Sequence, residues 1–203
     1  GMLALLQHRG PEHAGLLVTP RAALGNSRLS GIDLKGGNQP ISSPDQSQWI
    51  VVNGEIFNYP ELRQDLRKLG CRFSSNSDTE VLLHIFREYG TKGLDLLNGQ
   101  FSAAFLDLRE NTVMLARDRL GVRPLFYVIL NGSLFFASEV TALLALPGVS
   151  NELDPQALAD IFTNGVPGRV TGMAAYDGVI VLTLDDDVLA WIGVDSGRLL
   201  RRI

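Results

Sequence analysis

Four short apolar runs, following two well-punctuated helical segments, constrain this chain more than any other feature. "QFSAAFLDL", "TVMLARD", "PLFYVIL" and "SLFFASE" lie between Gln100 and Glu139, separated by turn signals at Glu110-Asn111, Leu120-Gly121 and Asn131-Gly132. Runs of strand length at hairpin spacing pair with their sequence neighbours, so they predict an antiparallel sheet, and Asn131-Gly132 suits a two-residue hairpin. Upstream, "NYPELRQDLRKLG" places Pro60 in a first helical turn, Leu62, Leu66 and Leu69 on one face, and Gly70 at the end. "SDTEVLLHIFREYG" repeats that grammar, with Ser77 or Asp78 as cap, Glu80 in the first turn, Val81, Leu82, Ile85 and Phe86 toward a core, and Gly90 as stop. Downstream, "DPQALADIF" predicts another helix capped by Asp154 with Pro155 at its first position, and "GVIVLTLDDDVLAWIGVD" predicts a terminal hairpin turning at Asp185, Asp186 and Asp187. Helices before and after an antiparallel sheet must cover its faces, which makes the expected class α+β.

Composition narrows what such a chain can do. At 203 residues, 45% hydrophobic and 20% charged, it can bury a real core as one domain with at most a small appendage. A net charge of -4, with 18 Lys and Arg scattered along the chain, argues against nucleic acid as a partner. No apolar run reaches membrane-spanning length, so no membrane partner is expected. The single cysteine, Cys71, excludes an internal disulfide and a cysteine-based zinc site, and fits a reducing, cytoplasmic setting. His8 and His13 straddle a Gly-Pro turn, and His84 sits mid-helix without a neighbouring Cys or His, so no metal site is expected. Gly1 ahead of Met2 looks like a residue left by tag removal.

"VVNGEIFNYPEL" poses the chemical question, because it sets an amide, a glycine and a carboxylate where an apolar run gives way to helix signals. Asn-Gly is a strong turn dipeptide. It also offers two donors, the Asn53 side-chain amide and the Gly54 N–H, that could converge on one oxygen, with the glycine allowing a carbonyl to approach the main chain.

The surrounding blocks bear on that choice. "HRGPEHAG", "SRLSGID", "VVNGEIFNYPEL", "SDTEVLLHIF", "LNGQFSAAFLD", "LARDRLGVRPLFY" and "FASEVTALL" occur in this order, and together they resemble the glutaminase domain of class II glutamine amidotransferases of the asparagine synthetase branch. The resemblance covers roughly residues 3 to 162. It implies the N-terminal-nucleophile hydrolase fold, a four-layer αββα sandwich of two antiparallel sheets between helices, with residues 1–163 as the amidotransferase-like domain and 164–203 as a hairpin and tail completing it. It further implies that Asn53 and Gly54 form the oxyanion hole of the catalytic site. L-glutamine is then the small-molecule partner, with Arg28 pairing with its α-carboxylate and Glu55 and Asp78 holding its α-ammonium. Each role has a physical reason: a planar guanidinium grips a carboxylate with two parallel hydrogen bonds, and two acids with one arginine match a zwitterionic amino acid. Asp78 beside Ser77 is equally an ordinary helix N-cap residue.

Other blocks read as structural. Arg9-Gly10-Pro11 suggests a rigid turn, and Arg117, Asp118, Arg119 and Arg123 suggest an Arg–Asp ion-pair network closing a loop.

Members of the resembled family attack glutamine with a cysteine at the start of the mature chain, whose α-amine is the base. The family carries that cysteine, followed by glycine, on a strand upstream of the first helix, and this sequence has neither. The expectation is therefore a fold lacking its first strand and a polypeptide without glutaminase activity, Cys71 being mid-chain and packed as a small apolar residue. Either the start of translation lies further upstream, or the domain is a non-catalytic binding or structural module related to amide-forming enzymes. Loss of an interior strand would expose sheet edges, which leaves a homodimer open. No cofactor is expected in this chain: ATP and Mg belong to the family's synthetase domain, whose Ser-Gly-Gly-x-Asp-Ser loop is echoed only faintly by "IGVDSG". A synthetase domain or subunit would then be the macromolecular partner.

Overall fold

A computed structural model describes residues 1–28 and 37–150, together with the backbone of Val170–Tyr176, Val179–Leu184 and Leu189–Gly193. The chain opens on a short helix, α1 (Met2–Leu5), and a 3-10 turn over Gln7–Arg9. Its contacts divide it into two compact units, Leu3–Pro124 and Leu125–Ile203 with Gly1–Met2.

In the first unit β1 (His13–Val18) and β2 (Ala23–Arg28) form an antiparallel pair. Next come β3 (Ile41–Ser42), β4 (Gln48–Ile56), the helices α2 (Tyr59–Lys68) and α3 (Asp78–Tyr89), then β5 (Gly99–Asp107) and β6 (Thr112–Arg117). The sheet has the order β3-β4-β5-β6, every pair antiparallel. Register sets Ile50 opposite Phe105 and Val52 opposite Ala103, so alternate residues of β4 and β5 share one face. Those residues form one cluster with Leu62, Leu66, Val81, Leu82, Ile85 and Phe86 of the two helices, and the Phe86 and Phe105 rings meet edge to face at 5.8 Å. β5 is buried on both faces from Phe101 to Asp107, which accounts for its continuous apolar run.

Both central helices lie where punctuation placed them. Ser77 is the N-cap of α3, its Oγ accepting the Thr79 N–H at 3.2 Å, and Gly90 follows the last turn. Leu69 departs from the expected buried face: it is the residue after the last turn of α2 and stands 59% exposed. Arg63 is instead buried, its guanidinium lying 4.5 Å over the Phe73 ring and donating to the carbonyls of Ser75 and Ser77 at 2.8 and 3.1 Å. His84 is a buried core residue edge-on to the same ring at 4.6 Å, and burial, the largest influence, holds its pKa below the ordinary 6.5. Glu80 is also buried. Burial pushes its carboxyl up, but four hydrogen bonds from the N–H and hydroxyl groups of Ser74 and Ser75 outweigh it and leave the pKa below the ordinary 4.5.

The second unit holds the hairpin β7 (Phe126–Leu130) and β8 (Ser133–Ala137), joined at Asn131-Gly132 with φ of 49° and 75°, followed by α4 (Val140–Leu144). Three further strands, β9 (Val170–Tyr176), β10 (Val179–Leu184) and β11 (Leu189–Gly193), form an antiparallel sheet in the order β11-β10-β9. The four apolar runs therefore do not make one sheet: β5 and β6 extend β3–β4, while β7 pairs with β8. The physical reason is the connection from Arg117 to Phe126, a loop coiled on Asp118 instead of a tight turn. β10 and β11 match the expected terminal hairpin and β9 was not anticipated; the expected turn at Asp185–Asp187 and the helix at 154–162 lie outside the described residues.

The Asp118 loop also corrects the expected ion-pair network. Asp118 Oδ1 and Oδ2 accept the backbone N–H groups of Phe101, Leu120, Val122 and Arg123 at 2.9 to 3.2 Å. Arg117 donates to the carbonyls of Arg123 and Gly121. Each charge is thus hydrogen-bonded to backbone dipoles of opposite sign rather than to the other charge, and Asp118 acts on Arg117 through space, against the effect of its burial. Arg119 pairs with Asp95 at 3.2 Å, but both side chains are exposed, so that pair adds little.

Candidate functional site

Asn53, Gly54 and Glu55 are not a turn. They continue β4 to Ile56, in register with Ser102, Phe101 and Gln100 of β5. Phe101 directs its own N–H and C=O to Asp118 on the β6 side, at 3.2 and 2.8 Å, so the Gly54–Phe101 rung carries no ladder bond. A trans peptide plane then points the Gly54 N–H away from β5, toward the free side of β4 beyond the end of β3. The N–H groups of Val52 and Ile56 point to the same side: Gln39 Oε1 accepts the first at 2.6 Å and Asp78 Oδ2 the second at 3.0 Å. Between them the Gly54 N–H is exposed and has no partner among the described residues.

Next to it in sequence, the Asn53 side-chain nitrogen is buried and has no hydrogen-bond partner among the described residues. A buried amide donor left unpaired costs on the order of 1–3 kcal/mol, so this nitrogen is able to donate to an acceptor brought to it. Gly54 suits this position because φ is 134° and a Cβ there would lie 2.0 Å from the Gln100 carbonyl oxygen.

Asp78 is buried at the start of α3. Its Oδ2 holds Ile56 and its Oδ1 accepts the Thr79 N–H at 2.9 Å, so it fastens the helix to the end of β4. A carboxylate has lone pairs beyond these two, and a further cation is compatible with the arrangement. Arg28 ends β2, buried, and donates to Asn38 Oδ1 at 3.3 Å. Asn38 adjoins Gln39, so Arg28 is joined to the Val52–Ile56 edge through consecutive residues. Glu55 shares the sheet face of Asn53 by strand alternation, and it is exposed with no hydrogen-bond partner among the described residues. Asp78 is thus bonded directly to the strand edge that carries Asn53, Gly54 and Glu55, and Arg28 is linked to it through Asn38 and Gln39.

Gln39 was not anticipated. Its side chain joins three elements, accepting from Val52 and from Asn26 Nδ2 at 3.3 Å and donating to Thr79 Oγ1 at 3.2 Å. A glutamine before a proline gives no periodic or capping signal, so only the paired strands reveal it. Cys71 packs against the core cluster just after α2, and burial, followed by the nearby Glu88 carboxylate, raises its thiol pKa, the opposite of an activated nucleophile.

This geometry can be set beside known proteins. A family model described as a glutamine amidotransferase domain matches residues 1–183. The chain belongs to the glutamine amidotransferase family. Among relatives of this amidotransferase domain, asparagine synthetase [glutamine-hydrolyzing] 3 of Bacillus subtilis is 38% identical over 180 residues, covering 88% of this chain and 29% of the relative. Asparagine synthetase [glutamine-hydrolyzing] 1 of Arabidopsis thaliana is 41% identical over 139 residues, covering 68% of this chain and 24% of the relative. The domain therefore spans less than a third of the length of these relatives. In solved structures, the glutamine phosphoribosylpyrophosphate amidotransferase of B. subtilis, complexed with ADP and GMP, superposes with a TM-score of 0.50 over 80% of this chain and 33% of that one, at 23% identity. That likeness concerns the fold, and with the antiparallel sheets and helices described above it gives the amidotransferase domain the α+β N-terminal-nucleophile hydrolase fold. Among the described residues no helix is long and apolar enough to cross a membrane.

Proposed function

We propose that this chain is the glutamine-binding, glutaminase-type domain of an asparagine synthetase-like amidotransferase. The observation that carries the reading is the pair of adjacent donors, Asn53 Nδ2 and Gly54 N–H, unpaired among the described residues, at a strand edge otherwise closed by side chains. Two such donors suit the carbonyl oxygen of a side-chain amide, and they suit still better the oxyanion that forms when that carbonyl is attacked. Arg28 would take the α-carboxylate of L-glutamine, and Asp78 with Glu55 the α-ammonium. A synthetase domain or subunit would use the released nitrogen, and ATP and Mg would act there. The 203 residues themselves hold one thiol, Cys71, in the wrong environment for attack, so this polypeptide binds glutamine without hydrolysing it.

Isothermal calorimetry with L-glutamine, paired with an ammonia assay, tests both halves. Expected are saturable binding, its loss in Arg28→Ala, a roughly ten-fold weakening in Asn53→Ala from removal of one buried hydrogen bond, and no ammonia above background in wild type or Cys71→Ser. A folded chain that does not bind glutamine defeats the site assignment. Ammonia release that disappears in Cys71→Ser defeats the claim about the thiol.

A further inference from the structure

We infer that Gln39 is a positioning residue for the Asn53–Gly54 donor pair, an inference that rests on the glutamine-site reading above. β3 pairs with β4 through Ile41–Ile50 and Ser42–Trp49, and Gln39 lies just before β3, near the Val52 end of that edge. The rung there is made by the side chain, Gln39 Oε1 accepting the Val52 N–H at 2.6 Å. This bond fixes which end of the amide is which, because a backbone N–H can only donate. Oε1 therefore faces the strand and also receives Asn26 Nδ2, while Nε2 donates to Thr79 Oγ1 in the first turn of α3.

The consequence lies two residues along β4. With Gln39 on Val52 and Asp78 on Ile56, the strand edge is tied on both sides of Gly54, and among the described residues Gly54 N–H is the one open backbone donor of the three. Without the Gln39 oxygen, the Val52 N–H becomes a second open donor about 7 Å away along the strand. It would draw water or the ligand oxygen to the wrong rung, and beyond the end of β3 the free side of β4 would be tied at Ile56 alone. Gln39 is buried, so it acts on the ligand through the strand.

The experiment compares Gln39→Met, which keeps the length and removes every hydrogen bond, with Gln39→Glu, which keeps the acceptor oxygen. Amide NMR and hydrogen exchange on the free protein are read first, then calorimetry with L-glutamine. In Gln39→Met the Val52 amide should exchange faster and the Gly54 amide resonance should move, while the Ile56 amide and the α3 core amides stay in place; glutamine affinity should fall about ten-fold. Gln39→Glu should leave the Gly54 amide in place and the affinity within about three-fold, a rescue that loss of packing alone would not produce. An unmoved Gly54 amide in folded Gln39→Met overturns the inference, even where glutamine binding stands. Should Gln39→Met fail to fold, Gln39→Glu decides: a wild-type Gly54 amide upholds the role of the oxygen, and a displaced one overturns it. Should wild type not bind glutamine, the functional reading falls and the amide pattern alone judges Gln39.

Discussion

Replacing Gly54 with alanine separates two demands that the site makes of one residue. The φ of 134° is a region that L side chains rarely adopt, and holding one there costs on the order of 1–3 kcal/mol. The added Cβ would also stand 2.0 Å from the Gln100 carbonyl oxygen and 2.7 Å from the Phe101 Cα. Both atoms are main chain of β5, so neither can rotate aside, and the β4–β5 spacing must widen at this end of the sheet. Forced repacking of this kind typically costs another 1–3 kcal/mol, giving about 2–6 kcal/mol in all. Gly70 is the control: its φ of 91° is also positive, yet a Cβ there meets nothing within 4 Å. Urea unfolding of wild type, Gly54→Ala and Gly70→Ala, followed by circular dichroism, gives both losses on one scale. Gly54→Ala should exceed Gly70→Ala by about 1–3 kcal/mol, the steric share alone. Equal losses within about 0.5 kcal/mol would mean that β5 does not press on Gly54, and would refute the close approach on which the strand-edge geometry depends.

Acidification should weaken the fold in two stages. His84, with a folded pKa below its ordinary 6.5, binds more protons when unfolded, so its contribution is complete above about pH 6.5 and falls as pH drops below it, by at most about 1.4 kcal/mol per unit. Glu80, below its ordinary 4.5, adds a second loss under that pH, and urea midpoints at pH 7, 6, 5 and 4 should show both, with the first stage absent in His84→Gln. Asp118→Ala should cost about 2–3 kcal/mol, because the Phe101 N–H is stranded in a buried strand while the loop donors can turn to water; unfolding measures the loss, and faster amide exchange at Leu120, Val122 and Arg123 locates it.

Where local chemistry decides structure, the sequence was informative. Ser77, Glu80 and Gly90 marked α3, and Pro60 and Gly70 marked α2, because caps and breakers act within a turn of where they stand. The Asn131-Gly132 hairpin belongs to the same class. Asn53-Gly54 shows the limit. Locally the pair prefers a turn, but nine consecutive rungs with β5 hold it extended, and that partner begins more than forty residues later. Arg63 falls inside because Phe73 and the Ser75 and Ser77 carbonyls receive it, and the heptad-like spacing of Leu62, Leu66 and Leu69 carries no trace of them. The roles of Arg28, Glu55 and Asp78 came from resemblance. What the structure adds is that Asp78 already has a backbone task, and that Gln39 shares it.

The same strand edge bears on how the protein behaves at high concentration. An uncovered edge recruits foreign strands when several N–H groups in a row stand open, because a cross-strand ladder needs repeated rungs to set its register. Here Gln39 and Asp78 occupy the rungs on either side of Gly54. A single open donor can hold one small carbonyl compound but cannot template a second chain, so the arrangement that suits a ligand also makes this edge a poor seed for strand addition.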